Sequence, residues 1–479
     1  MKNMTDNEIL ESVLEEFKKI AKIPRPSGHE KKISDFLKDY FTDLGFETVQ
    51  DKVNNIIVEV PAKKGFEAAP LTILQVHMDM VAVAADKVPF NPLTDPIRLL
   101  REEKYLRAMG TSLGADDGIG VAIILFLAKN LKAHGALRFI FTVDEEMGMK
   151  GAAALDAKYF KDVKYLINCD SEKFDEIIIG CAGNVTLEFS KNIEREEVAK
   201  QNILTIELTG LKGGHSGERI GDNRANAIVA LMRAVRNLEN YGEAELITID
   251  GGSARNAIPS LARAVIATDI DEDTLKIALM EEGRSVYKLY DEENAEFAVK
   301  KCDTDMGAIK KEDAKRIFQF VNLLHSGVYA INENNMIETS ANLGLINTTE
   351  NSVNVSFLPR SSKDRKLDIF ISKSQDLADL TGFSVTHGEK ALGWSQKESP
   401  LANIMAGIFK DITNLDMIIA EMHAGIECGF FHKYNPNIDM VSIGTTNEDI
   451  HSPKERLALE TVAPITKLIA KTLEKISSN

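Results

Sequence analysis

At 479 residues the chain is too long for one simple core, and 44% hydrophobic with 27% charged residues is the balance of a globular protein of two or more domains. A net charge of −16, from 57 basic against 73 acidic residues, excludes a nucleic-acid backbone as partner and disfavours anionic membranes. The cysteines at 169, 181, 302 and 428 form no CxxC pair, no run approaches the ~18 apolar residues of a membrane span, and the first residues lack a signal-peptide core, so a cytoplasmic protein is expected.

Helical periodicity runs over 7–22 (Ile9, Val13, Phe17, Ile20). After Pro24 and Pro26, the Ser27-Gly-His-Glu30 stretch has the form of a capping box opening a second helix that ends near Gly45. Alternation over 46–60 suggests a pair of strands, and the apolar run 71–77 a third. That third strand carries His77 out of its end, with Asp79 two positions on and on the same side. An aspartate so placed can hold the free N–H of an imidazole whose other nitrogen binds a metal.

Small residues and two aspartates, GTSLGADDGIG from Gly110, lead into an apolar helix starting near Asp117, which leaves Asp116 in the loop. A strand at 137–143 ends in Asp144-Glu145-Glu146, and one at 163–169 ends in Asp170. Strand and helix alternating in this way indicate a mixed, largely parallel α/β sheet with helices on both faces, whose sites collect at the carboxyl ends of strands. His77, Asp116, Glu145, Glu146 and Asp170 then share one rim.

From 187 to 398 the texture changes, with strands at 203–209, 245–250, 261–268 and 353–358 among helices at 223–239, 272–289, 312–325 and 364–379. The order strand, charged turn, helix occurs at both 261–289 and 353–379, which suggests an inserted α+β domain of two similar parts. The first texture resumes near 400, with a helix at 400–413, a strand near 415–421 running into HAGIECG, and a strand at 438–443. A loop with His451 and a long helix from Pro453 follow. The expected organisation is a catalytic domain of 1–186 and 399–479 interrupted by a lid of 187–398.

Histidine, aspartate and glutamate without thiolates suit a catalytic site for zinc, manganese or cobalt, and five ligands sharing a carboxylate suffice for two ions. The Glu145-Glu146 pair offers a ligand and a neighbouring base, which is the requirement of amide hydrolysis.

The motifs LQVHMDMV, GTSLGADDGIG, TVDEEMGM, NCDSE, GGHSG, HAGIECG and HSP, in order along essentially the whole chain, resemble the dinuclear-metal exopeptidase family that includes carboxypeptidase G and peptidases T and V. Within it they are most similar to the bacterial aminoacyl-histidine (Xaa-His) dipeptidases, or carnosinases. The resemblance implies that His77 and Asp170 bind one metal, that Glu146 and His451 bind the other, and that Asp116 bridges them. It makes Asp79 the orienter of His77, Glu145 the general base and acid, and the Asp116–Asp117 peptide cis. In the lid it implies that His215 stabilises the oxyanion and that Asn256 and Arg360 contact substrate. An arginine fork suits a terminal carboxylate. Glu427 would anchor the substrate's amino group, with His423 lining the same pocket.

The resulting expectation is a metal-dependent hydrolase of short unblocked dipeptides, favouring Xaa-His such as β-alanyl-histidine, with two divalent ions, zinc by default, and neither nucleic acid nor membrane as partner. The resemblance admits a monomer or a homodimer. An N-acyl amino acid deacylase or broad aminopeptidase shares the metal shell, and a non-catalytic binding protein would have lost a ligand or the base.

Overall fold

The apolar runs seen in the sequence become neighbouring strands because both of their faces are covered. Phe139 and Phe141 enter the main core, where Phe41 of the helix Lys31–Asp43 meets them at ring-centroid distances of 5.9 and 5.4 Å. Ile140 between them is equally buried but lies outside that cluster, which explains a strand without hydrophobic alternation. Truncating a ring such as Phe41 would cost about 3–5 kcal/mol.

The structure is a computed structural model describing residues 4–333 and 335–478, and it divides into two compact units. The first comprises the described residues of Met1–Cys181, Trp394–Glu421 and Ile426–Asn479; the second comprises Ala182–Gly393 and Met422–Gly425. In the first unit the strands run in the order Glu47–Gln50, Ile56–Val60, Leu137–Thr142, Leu71–His77, Val163–Asn168, Asp439–Ser442, Glu176–Cys181 and Trp394–Ser395. The central four, from Leu137–Thr142 to Asp439–Ser442, are parallel. This is the mixed α/β sheet expected. Among the described residues no helix is long and apolar enough to cross a membrane.

Two local expectations fail. The capping box forms at the first helix, Asp6–Ile20, between Thr5 and Glu8, and not at Ser27–Glu30. Ser27 instead donates its hydroxyl to Asp79 Oδ2 (2.8 Å), and Glu30 accepts the backbone N–H groups of Gly28 and Asp144 (2.6 and 3.0 Å). A buried carboxylate needs these donors more than a helix end that water can reach. The last helix, Leu459–Ser477, does not begin at Pro453. Arg456–Ala458 forms a strand against Tyr105–Ala108, which buries Leu457 opposite Leu106.

The second unit holds an antiparallel sheet in the order Glu296–Lys301, Asn202–Thr209, Ala262–Thr268, Ala244–Gly251, Ile337–Thr348, Ser352–Ser361, Leu187–Asn192 and Ser384–His387. Along that path four strands stand on each side of the pairing of Gly251 with Ile346, and Gly327–Ile331 and Gly183–Asn184 add to the second side. The helix expected from 223 starts at Ala227, because Asn226 caps the N–H groups of Ile228 and Val229 (3.1 and 3.3 Å).

Candidate active site

Strand register brings the first-unit candidates to one height. His77 lies opposite Thr142, and Gln75 opposite Asn168, so the chain leaves three parallel strands side by side towards Asp79, Glu145-Glu146 and Asp170. Asp116 lies in the first turn of Ala115–Asn130, where its own backbone and that of Asp117 break the helical run, and its peptide to Asp117 is cis. Gly114 turns the preceding loop at φ +67°, where a Cβ would stand 2.6 Å from Met80 Sδ and 2.7 Å from Arg25 Nη2. Asp117 is turned inwards, accepting the His77 backbone N–H at 3.2 Å.

The two oxygens of Asp116 face different partners. Oδ1 is 3.1 Å from His77 Nε2, which is itself 3.2 Å from Asp170 Oδ1. Oδ2 is 3.1 Å from His451 Nε2, which is 2.8 Å from Glu146 Oε2. His77, Asp116 and Asp170 form one group whose donor atoms lie within 4.8 Å of one another; Asp116, Glu146 and His451 form another. Carboxylates so converged repel. Burial pushes Asp170 up to about 7, and burial with Asp116 raises Glu146. Burial opposes the His451 imidazolium, yet its hydrogen bonds to Asp116 and Glu146 raise it to about 11. Glu146 Oε1 is buried without a hydrogen-bond partner among the described residues. A divalent cation in each group would relieve this repulsion, so the donor set fits two.

Asp79, fully buried, ties the cluster together. Oδ1 is 3.3 Å from His77 Nδ1 and accepts the Glu145 N–H (3.1 Å), while Oδ2 accepts the Glu146 N–H (3.3 Å) and the Ser27 hydroxyl. Glu145 is partly buried, and burial together with Asp170, Glu146 and Glu427 holds its carboxyl well above the ordinary range. Glu427 is fully buried. Its Oε2 accepts from Gln75 Nε2 (2.5 Å) and Thr142 Oγ1 (2.7 Å), its Oε1 has no hydrogen-bond partner among the described residues, and burial raises it to about 8. Met78 and Met80 are core residues, whereas Met147 is exposed.

The second unit gathers its own set. His215 pairs with Ala257, so Asn256 accepts the Ser216 N–H at 2.8 Å. Arg360 lies opposite Ser340 in the sheet, and Ser340 Oγ is 2.7 Å from His423 Nε2. A Cβ on Gly217 would stand 2.7 Å from the His423 carbonyl and 3.1 Å from His215 Cε1, so the GGHSG loop abuts His423. Burial lowers the Arg360 guanidinium to about 10; it has no carboxylate partner among the described residues, and its Nε is unbonded. Burial and Arg360 hold His423 at about 4, a neutral ring.

Sequence reasoning does not find Arg25, Glu292 or Glu455. Arg25, framed by Pro24 and Pro26, is buried and donates to the carbonyls of Met78 (3.0 Å), Asp79 (2.6 Å) and Gly114, three points on the two loops that carry Asp79 and Asp116. Glu292 accepts the N–H groups of Lys212 (2.9 Å) and Ala225 (3.3 Å), closing both ends of the His215 loop. The proline frame was a signal for Arg25. Nothing local marks the other two.

Comparison with known proteins extends this geometry to ancestry. A profile of peptidase family M20/M25/M40 matches residues 73–475. The chain is 33% identical to the cytosol non-specific dipeptidase of Escherichia coli over 468 residues, 96% of each protein. It superposes on the crystal structure of aminoacylhistidine dipeptidase from Vibrio alginolyticus with a TM-score of 0.85 at 32% identity, covering 97% of this chain and 96% of that one. Human carnosine dipeptidase 1, at 13% identity and a TM-score of 0.53 over 99% and 98% of the two chains, shares the fold. The profile match and the length of the likeness to these dipeptidases lead to one assignment: the chain belongs to peptidase family M20/M25/M40 and is a metallopeptidase, a hydrolase.

Proposed function

We propose that this protein is a dipeptidase that uses two metal ions to hydrolyse short unblocked dipeptides, with Xaa-His peptides such as β-alanyl-histidine favoured. The observation that carries the reading is the split of Asp116, one oxygen towards His77 and Asp170 and the other towards His451 and Glu146. His77 and Asp170 would hold one divalent ion, Glu146 and His451 the second, and Asp116 both; zinc is the first choice, with manganese and cobalt as rivals. Held there, the pair supplies Lewis-acid polarisation of the scissile carbonyl and a water acidic enough to attack at neutral pH.

The chain's own residues do the rest. Asp79 fixes the tautomer and orientation of His77 by receiving its Nδ1–H. Glu145 takes a proton from the attacking water and delivers it to the amine nitrogen as the C–N bond breaks. His215 donates to the oxygen that becomes negative in the transition state, and Asn256 contributes a polar contact beside it. Arg360, buried without a carboxylate partner among the described residues, takes the substrate's terminal carboxylate, and neutral His423 lines the pocket for its amino group. The unbonded oxygen of Glu427 receives the free amino group.

The names of the Vibrio and Escherichia coli relatives support dipeptides as the substrate class, and the latter supports a cytosolic location. The test is a pair of substrates, β-alanyl-histidine and its N-acetyl form. The free dipeptide should be hydrolysed and the acylated one spared; faster cleavage of the acylated form would make the protein a deacylase.

A further inference from the structure

His451 reaches the cluster from the tip of a loop, and the structure shows what fixes the base of that loop. Its side chain is 44% exposed and its φ is +57°, so packing does little to place it. The loop closes where Asn447–Glu448 pairs with Arg456–Ala458. At the closing point stands Glu455, only 3% exposed. Its carboxylate accepts consecutive backbone N–H groups of the Asp116 loop: Leu113 and Gly114 on Oε2 at 2.8 and 3.0 Å, and Ala115 on Oε1 at 2.8 Å. The Asp116 N–H lies 3.5 Å from the same oxygen. One side chain thus joins two segments some 340 positions apart, one carrying His451 and the other Asp116.

A carboxylate gripped by three N–H groups is a stiff link, because its two oxygens have little freedom once both are engaged. The segment it grips is also fixed from the other side by Arg25, whose guanidinium donates to the Gly114 carbonyl. We propose that Glu455 is a positioning residue for metal binding: by fixing the interval between Asp116 and His451 it assembles the Asp116–Glu146–His451 group, and it bears on the His77–Asp116–Asp170 group only through the Asp116 they share. His77 and Asp170 are placed by their strands, which Glu455 does not contact. The inference rests on the two-ion reading of the site.

The experiment is calorimetric titration of metal-free protein with Mn2+, for the wild type, Glu455→Gln and His451→Ala. Wild type should take two ions per chain. Glu455→Gln keeps the size of the side chain but turns an N–H of its own towards backbone donors. It should keep one ion at near wild-type affinity and bind the second about tenfold or more weakly, in the pattern of His451→Ala, with turnover recovering at high metal concentration. Weakening of one ion while the other keeps near wild-type affinity is a signature that general loosening does not give. Two ions at wild-type affinity in Glu455→Gln, or equal weakening of both, would overturn the proposal. A wild type that holds one ion overturns the two-ion reading and this inference with it. Should Glu455→Gln not fold, Glu455→Asp, which keeps the charge but shortens the reach, is titrated in its place and judged by the same outcomes.

Discussion

Asp79→Asn is the substitution whose consequence follows most directly from the site. Four donors converge on the carboxylate: the His77 ring and the Glu145 N–H on one oxygen, the Glu146 N–H and the Ser27 hydroxyl on the other. An amide must place its NH2 on one side. Facing His77 and Glu145 it would orphan two donors; facing Glu146 and Ser27 it orphans one, because the hydroxyl can turn and accept. The second orientation therefore wins, at a cost of roughly 1–3 kcal/mol for the unbonded Glu146 N–H. Asp79→Ala would orphan three donors, roughly 3–9 kcal/mol against a whole stability of about 5–15 kcal/mol, and is not a usable probe. The assay is urea unfolding of the metal-free protein followed by tryptophan fluorescence. Trp394 is the sole tryptophan, is buried, and belongs to the first unit, so it reports the unit that holds Asp79. Because the Glu146 backbone loses its anchor, metal affinity should fall about 10–100-fold as well. Unchanged unfolding together with unchanged metal affinity would refute the reasoning.

Three further outcomes follow. Glu145→Ala should lower kcat by roughly 10²–10⁴ while both ions remain bound, since Glu145 belongs to neither donor group; near-normal turnover would remove it as the base. Arg360→Ala should lower kcat/KM for a free dipeptide roughly 10–150-fold yet leave its C-terminal amide unaffected, and equal losses on both substrates would remove the carboxylate contact. The metal-free protein should lose stability as pH rises from about 5 to about 8. Asp170 and Glu427, raised by burial from 3.8 to about 7 and from 4.5 to about 8, cost more to keep folded as each range is crossed. His451 stabilises fully below 6.5 and loses that contribution towards about 11, so all three act in the same direction. Added metal should offset the loss most at the alkaline end, where its ligands are deprotonated, and a Trp394 unfolding midpoint that climbs with pH in the metal-free chain would contradict this.

Much of the first unit was legible because its signals are local. His77 and Asp79 are two residues apart at a strand end, Glu145 and Glu146 are adjacent, and strand runs covered on both faces stand out as continuous apolar stretches. What stayed hidden depends on partners far along the chain. Glu455 falls in a stretch whose charged, helix-forming residues look like the start of the last helix, and only the pairing of Leu457 with Leu106 makes it a strand. Ser27 satisfies a sequence rule for capping, but a buried aspartate 52 positions away takes its hydroxyl. The central strand Ile337–Thr348 of the second unit carries Thr339, Ser340 and Asn342 buried, and so lacks an apolar pattern. Its Asn342 donates Nδ2 to the carbonyls of Arg255 and Ala257, which no local pattern reveals.

The central claim is that a metal-loaded cluster around Asp116 hydrolyses a free dipeptide. It is tested most directly by following release of histidine from β-alanyl-histidine by the purified protein, before chelation, after chelation, and after zinc, manganese or cobalt is restored. The account predicts activity that is lost to the chelator and regained with metal. Histidine release that persists undiminished in fully metal-free protein, or that appears under no metal, would contradict it.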